Sequence, residues 1–336
     1  MSNGQTSTRP GTIRQSARRT LLGSLGGVLI ALVRRARRVR WFATVGGVAL
    51  ALLAIGIRMK DIFRLVRCGG FFFVVSCLFT STNPLHAQWI QTNGPYGGGV
   101  ISFAVSGTNL FAGTFGGGVF LSTNNGTSWI PASTGLTNTD VRTLAVSPNG
   151  TGGTNLFAGT AGGGVFLSTN NGTSWTAAST GLTNTTVLAL AVSGTNLYAG
   201  TEGGGVFLST NNGTSWTAAS AGLTNKEVRA LAVSGTNLFA GTFGGVFLST
   251  NNGSSWTATS TGLTSTEVRA LAVFGMNLFA GTSGGVFHST DNGTSWTAAS
   301  TGLPSAYPST IVRALAVSGT NLFAGTHGGG VWRRPL

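Results

Sequence analysis

Between Gln88 and Leu336, short runs rich in Val, Leu, Phe and Thr alternate with clusters of Gly, Asn and Ser in one recurring order. The unit is clearest as Val228-Arg229-Ala230-Leu231-Ala232-Val233, then Asn237-Leu238-Phe239-Ala240-Gly241-Thr242, then Gly245-Val246-Phe247-Leu248-Ser249, then Ser255-Trp256-Thr257-Ala258. Each run is too short for a helix and is bounded by turn residues, so the unit predicts four antiparallel strands. Named A to D from an axis outward, the A strands centre on Ala104, Ala145, Ala191, Ala232, Ala272 and Ala316. The C strands centre on Phe120, Phe166, Phe207, Phe247, Phe287 and Trp332.

Trp129, Trp175, Trp216, Trp256 and Trp296 mark the repeat at separations of 46, 41, 40 and 40 residues, the period of a four-stranded propeller blade. The expected fold is therefore an all-β, six-bladed propeller. Only five D strands follow the six C strands. The spacing from Trp89 to Ala104 is close to that from Trp129 to Ala145, so Gln88 to Thr92 is expected to supply the sixth and close the ring. Closure hides edges that would otherwise template aggregation. A monomer is expected.

Before each D strand stands a polar box, Ser289-Thr290-Asp291-Asn292-Gly293-Thr294-Ser295-Trp296, with Asn in place of Asp291 in the copies that begin at Ser122, Ser168, Ser209 and Ser249. In Ser122-Thr123-Asn124-Asn125-Gly126, Asn124 is expected to bond the backbone two residues on, and Gly126 to take the positive φ of a tight hairpin. Trp129 is expected to cover the outer part of its blade and to find a carbonyl for its indole N–H. This pattern resembles the Asp-box, or bacterial neuraminidase repeat, over residues 88 to 336. The resemblance implies a structural role at the blade periphery for Asn124, Gly126, Trp129, Trp175, Trp216, Trp256, Asp291, Gly293 and Trp296. Asp-box propellers include sialidases, other glycoside hydrolases, sorting receptors and photosystem II assembly factors, so the resemblance settles the fold rather than the function.

Charge changes the picture less than the formal net +14 suggests. Residues 1 to 87 carry thirteen Lys and Arg against Asp61 alone, whereas residues 88 to 336 carry seven against five acids. The repeat region is close to neutral, and no nucleic-acid partner is expected. Residues 59 to 87 run from a basic stretch through the apolar Phe71 to Phe79 to Leu85-His86-Ala87, the order of a secretory signal peptide cleaved near Ala87. Residues 1 to 58, with the apolar Trp41 to Ile57, are either an upstream extension before a start at Met59 or a leader that anchors the protein in a membrane. Val74-Val75-Ser76-Cys77 loosely matches a lipoprotein site. The reading is a secreted, periplasmic or cell-surface domain, with membrane contact only through a retained leader. Both cysteines, Cys68 and Cys77, lie before the repeats, which excludes disulfides, thiolate metal sites and thiol nucleophiles there. No metal, no cofactor and no catalytic residue is expected.

Candidate chemistry is sparse. A sialidase-like site would need three arginines, a Tyr nucleophile beside a Glu, and an Asp acid/base. Tyr96, Tyr198 and Tyr307 have no Glu placed beside them by sequence. Arg142, Arg229, Arg269 and Arg313 share one blade position, held by Ile101 and Leu188 elsewhere, and Asp140, Glu227 and Glu267 stand two residues before three of them. Such spacing on a strand puts each acid and base on one side. They form either a ring of ion pairs or an anion-binding collar. The B-to-C turns read Thr-X-Gly-Gly with Phe115, Ala161, Glu202, Phe243, Ser283 and His327 at X, so only Glu202 and His327 offer acid-base chemistry. Pro304 to Thr310 lengthens one D-to-A connection, where Tyr307 with Phe115 and Phe243 offers an aromatic contact surface. Uniform turns favour a non-enzymatic binding or scaffolding module for an extracellular or envelope protein or a glycan. A glycoside hydrolase and a purely structural repeat protein are the alternatives.

Overall fold

The computed structural model describes residues 92–336, which fold into strands and turns without a helix. The first sheet contains β1 (Val100–Ser106), β2 (Asn109–Thr114), β3 (Gly118–Ser122) and β4 (Ile130–Pro131). The second contains β5 (Val141–Pro148), β6 (Thr154–Thr160), β7 (Gly164–Ser168) and β8 (Thr176–Ala177). The third contains β9 (Val187–Ser193), β10 (Asn196–Thr201), β11 (Gly205–Ser209) and β12 (Thr217–Ala218). The fourth contains β13 (Val228–Ser234), β14 (Asn237–Thr242), β15 (Gly245–Ser249) and β16 (Thr257–Ala258). The fifth contains β17 (Val268–Phe274), β18 (Asn277–Thr282), β19 (Gly285–Ser289) and β20 (Thr297–Ala298). The sixth contains β21 (Val312–Ser318), β22 (Asn321–Thr326) and β23 (Gly330–Pro335).

Every sheet is an antiparallel meander with strands in chain order, so the chain is an all-β, six-bladed propeller of the expected blade type. The sixth sheet has three strands among the described residues. Of the segment expected to complete it, only Thr92 is described; Trp89 and the rest lie outside, as do the leader of residues 1–58 and the signal segment of residues 59–87.

Five apolar clusters form the core, one between each pair of successive sheets. The fourth sheet sends Ala232, Phe239, Val246 and Leu248 forward, and the fifth answers with Leu271, Val273, Leu278, Phe287 and Trp296. The alternation of a strand gives each sheet two apolar faces, which is why the runs read as nearly continuous hydrophobic sequence.

The box hairpin is specified locally, with roles that differ from the sequence-based expectation. Asn125 (φ 54°) and Gly126 (φ 81°) both take positive φ, the pair of values an Asn-Gly hairpin turn requires. Asn124 accepts from the Ser128 backbone N–H four residues on, at 2.9 Å, rather than two residues on. Ser122 Oγ accepts the Gly126 N–H at 2.8 Å and donates to Asn124 Oδ1 at 2.9 Å, so the serine braces the turn from inside.

In the fifth box Asp291 accepts from Ser295 Oγ at 2.6 Å, Ser295 N–H at 2.9 Å and Ser289 Oγ at 2.7 Å. These bonds, those of Ser295 first, hold its carboxyl down at about 2 from an ordinary 3.8. A depressed folded-state value means the stabilisation is complete above the unfolded value and is lost as pH falls through the folded one. Acid denaturation between pH 4 and pH 2 is therefore expected to be shallower in Asp291→Asn, measured as the pH dependence of the urea midpoint. An unchanged slope would show that the carboxylate contributes nothing.

The tryptophans latch each sheet to the one before. Trp175 Nε1 donates to Ala132 O at 2.8 Å, and the Trp175 backbone N–H donates to Thr134 O at 2.8 Å. Trp216, Trp256 and Trp296 repeat both bonds on Ala178 and Thr180, on Ala219 and Ala221, and on Thr259 and Thr261. The carbonyl expected for the indole thus comes from the neighbouring sheet, and the ring bridges two blades. Trp129 is the exception, since its Nε1 is buried without a partner among the described residues.

Candidate functional site

One end of the sheets gathers the B-to-C turns and the D-to-A connections. Backbone bonds join them: Gly118 N–H donates to Thr139 O at 2.8 Å, and Gly164 N–H to Thr185 O at 2.8 Å. Asn138 and Asn184 donate side-chain bonds to Ala161 O and Glu202 O at 2.9 and 2.8 Å. This lacing makes the turns a fixed platform rather than free loops.

The four arginines stand where the A strands break register. The ladder shifts between Val141 and Thr143, Val228 and Ala230, Val268 and Ala270, and Val312 and Ala314, leaving Arg142, Arg229, Arg269 and Arg313 as the extra residues. A bulge re-aims its side chain, here along the strand end toward the turn platform. The sequence signal for this was the shared blade position; the bulge itself lies opposite a Gly-Thr of the B strand and shows only in the pairing of the two strands.

Three of the four are committed. Arg142 Nη2 lies 2.8 Å from Asp140 Oδ2 and Arg229 Nη2 lies 2.5 Å from Glu227 Oε1; Arg269 pairs with Glu267, which also accepts from Ser283 Oγ. Each guanidinium also covers an aromatic ring. Arg142 lies 5.2 Å from the Phe115 centroid, and Arg229 and Arg269 lie 4.3 and 5.9 Å from that of Phe243. The ring faces attract the cations. Half-exposed pairs of this kind contribute at most about 1 kcal/mol each, so they orient the platform more than they stabilise it. Burial pulls the Arg269 guanidinium below its usual range; Glu267 opposes this, while the nearby Arg229 and Arg313 add to it. Arg313 is exposed, and buried Ile311 takes the place of its acid.

The aromatic candidates divide. Phe115 is 57% exposed and Tyr307 81%, whereas Phe243 is half-buried under two arginines. Glu202 and His327 are exposed on the platform; the backbone at Glu202 pairs with that at Glu227, and His327 N–H donates to Ile311 O at 2.9 Å. Tyr198 is buried to 1% exposure in the core, away from the turns. His288, which the sequence reading passed over, replaces a C-strand Leu, bonds Asn277 Oδ1 at 2.8 Å and stacks on Phe279 at 4.7 Å. Burial, then Arg334, lowers its pKa, and the ring is part of the packing. Among the described residues no three His, Cys, Asp or Glu side chains converge as a metal site would require.

A family described as "DUF6242 beta propeller domain" matches residues 210–329. No curated protein sequence matches the chain. Among solved structures, the extracellular domain assigned to the one-component system BT4673 of B. thetaiotaomicron is 18% identical, with TM-score 0.59 over 72% of this chain and 34% of that one. An ancestral GH74 enzyme is 21% identical, with TM-score 0.59 over 73% and 37%. PorZ, a surface component of the type-IX secretion system of Porphyromonas gingivalis, is 16% identical, with TM-score 0.50 over 74% and 34%. The chain spans about a third of the length of these three proteins. At such identities the likeness shows the propeller fold, and two of the three are extracellular or surface proteins.

Proposed function

We propose that the chain is a secreted or surface-exposed, non-enzymatic binding propeller whose turn platform engages an extracellular or envelope protein or a glycan. The observation that carries this reading is the pairing of Asp140, Glu227 and Glu267 with arginines, which leaves Glu202 as a lone carboxylate on the platform beside the exposed aromatic side chains of Phe115 and Tyr307. Hydrolysis of a glycoside needs one carboxyl group free to give a proton and a second opposite it. Carboxylates already bonded to neighbouring guanidinium groups are engaged within the platform rather than turned toward a substrate. Exposed aromatic faces on a rigid platform suit stacking on a sugar or packing on a protein. The surface location rests on the signal-like order of residues 59–87 and on the extracellular neighbours.

The test is a glycan-array screen of the purified protein, followed by photo-crosslinking from position 307 on whole cells. The expected result is one reproducible sugar or one crosslinked envelope protein, with binding reduced at least tenfold in the Phe115→Ala/Tyr307→Ala double variant. Binding that survives the double variant would move the contact away from this platform. Replacing Arg142, Arg229, Arg269 and Arg313 together by Gln should lower the melting temperature and leave neutral-ligand affinity in place. Loss of binding to acidic sugars alone would instead identify the arginines as an anion-binding collar.

A further inference from the structure

The two terminal sheets each present half of the interface that is made five times within the molecule. In the first sheet Phe103 and Val105 are 59% and 64% exposed. They stand in the places of Leu271 and Val273, which pack against the fourth sheet. In the sixth sheet Ala316 is exposed, Phe323 half-buried and Val331 60% exposed. Their counterparts in the fourth sheet, Ala232, Phe239 and Val246, face the fifth, and Phe239 and Val246 keep 1% and 0% of their surface. Successive inner strands pack from β1 through β5, β9, β13 and β17 to β21, and no comparable packing joins β21 to β1.

The outer part of the first sheet differs, because the place beside its box is filled from within the chain. In the other boxes the glycine lies against the residue three beyond the preceding Trp: Gly172 against Ala132, with a Cβ distance of 3.6 Å, and Gly293 against Thr259, at 3.2 Å. Gly126 meets Thr92 in the same way at 3.8 Å, so the position next to the first box is already furnished. Trp129 is half-buried there, and its ring centroid lies 6.3 Å from that of Phe103, so the two aromatic side chains form one patch on this face.

We propose that the exposed face of β1, with Phe103, Val105 and Trp129, is the docking surface for the exposed face of β21–β23 of a second copy of this chain, so that copies join head to tail. The joint continues the sheet-to-sheet interface of the molecule itself, with Val105, Phe323 and Val331 in the places of Val273, Phe239 and Val246, and Phe103 in that of Leu271. A two-fold dimer would set Phe103 against Phe103, and no pair of sheets in the molecule packs that way; the joint is heterologous. Arg333 replaces the forward-facing Leu121, Leu167, Leu208 and Leu248, whose clusters each include the next Trp. A guanidinium there meets the face of Trp129 and makes the joint weaker than the internal ones, hence dependent on concentration.

The experiment is light scattering during gel filtration of the protein purified after expression of the whole chain, across a hundredfold range of concentration. The wild-type mass is expected to rise from one copy to two and beyond. Phe103→Glu blocks one half of the joint and Val331→Glu the other, so each variant alone should stay at one copy. Their equimolar mixture should form a dimer and nothing larger, because one intact joint remains. If circular dichroism shows either glutamate variant unfolded, Phe103→Ser and Val331→Thr replace them. A wild type that stays at one copy throughout, or a mixture that does, overturns the proposal; the first result together with a lowered melting temperature in Phe103→Ser would mean that the ends meet within one molecule.

Discussion

Trp256→Ala is expected to lower stability by about 3–5 kcal/mol, the cost of emptying a buried aromatic site. Trp256 is 4% exposed, its indole donates to Ala219 O at 2.7 Å, and it belongs to the cluster between the third and fourth sheets. Removing the ring leaves both a cavity and a buried carbonyl without its donor. Because each sheet leans on the one before, the loss is expected to be felt by the array as a cooperative unit. The measurement is urea denaturation followed by circular dichroism, with Trp129→Ala as the comparison. Trp129 is half-buried and its indole is unpaired, so the same substitution there should cost distinctly less. Equal losses would show that Trp129 is covered and bonded in solution.

The second large effect is expected at Gly222. Its φ is +82°, and a Cβ built there would lie 2.3 Å from the carbonyl oxygen of Trp256. That oxygen is backbone of the latched strand, and the Trp256 N–H donates to Ala221 O at 2.8 Å next door, so neither side can yield without breaking the latch. Gly222→Ala combines a left-handed backbone penalty of about 1–2 kcal/mol with this collision, for a total on the order of 3 kcal/mol or more. Gly194 serves as the control: its φ is +60° and nothing lies within 4 Å of the added carbon. Gly194→Ala should show the backbone penalty alone. If the two variants lose the same amount, the close approach to Trp256 carries no energetic weight.

Gly222 and Trp256 also mark where sequence reasoning reaches its limit. The strands were legible because each run of Val, Leu and Phe is bounded by its own Gly and Asn turn residues; the Trp spacing marked the repeat, and the six A and six C strands marked the number of sheets. The pairs Arg142–Asp140, Arg229–Glu227 and Arg269–Glu267 were legible for the same reason, being set by a two-residue spacing within one segment. What could not be read depends on partners in the preceding sheet. The acceptor of Trp256 is Ala219, and the rings under Arg142 and Arg269 belong to the preceding sheet. The box hairpin was read only in part: Asn124 was expected to bond two residues on but accepts from the Ser128 N–H four residues on, and Asn125 shares with Gly126 the positive φ expected of the glycine alone.

The latch has a consequence for how such a chain can change length. Both parts of each joint, the receiving carbonyls of one sheet and the tryptophan of the next, lie in one stretch such as Ala219 to Trp256, about one repeat long. A tandem duplication or deletion of one repeat therefore carries every latch with it, wherever the breakpoints fall. Gene rearrangement can add or remove sheets without creating an interface that the chain does not already make, and selection on any one sheet can act while its neighbours keep their joints.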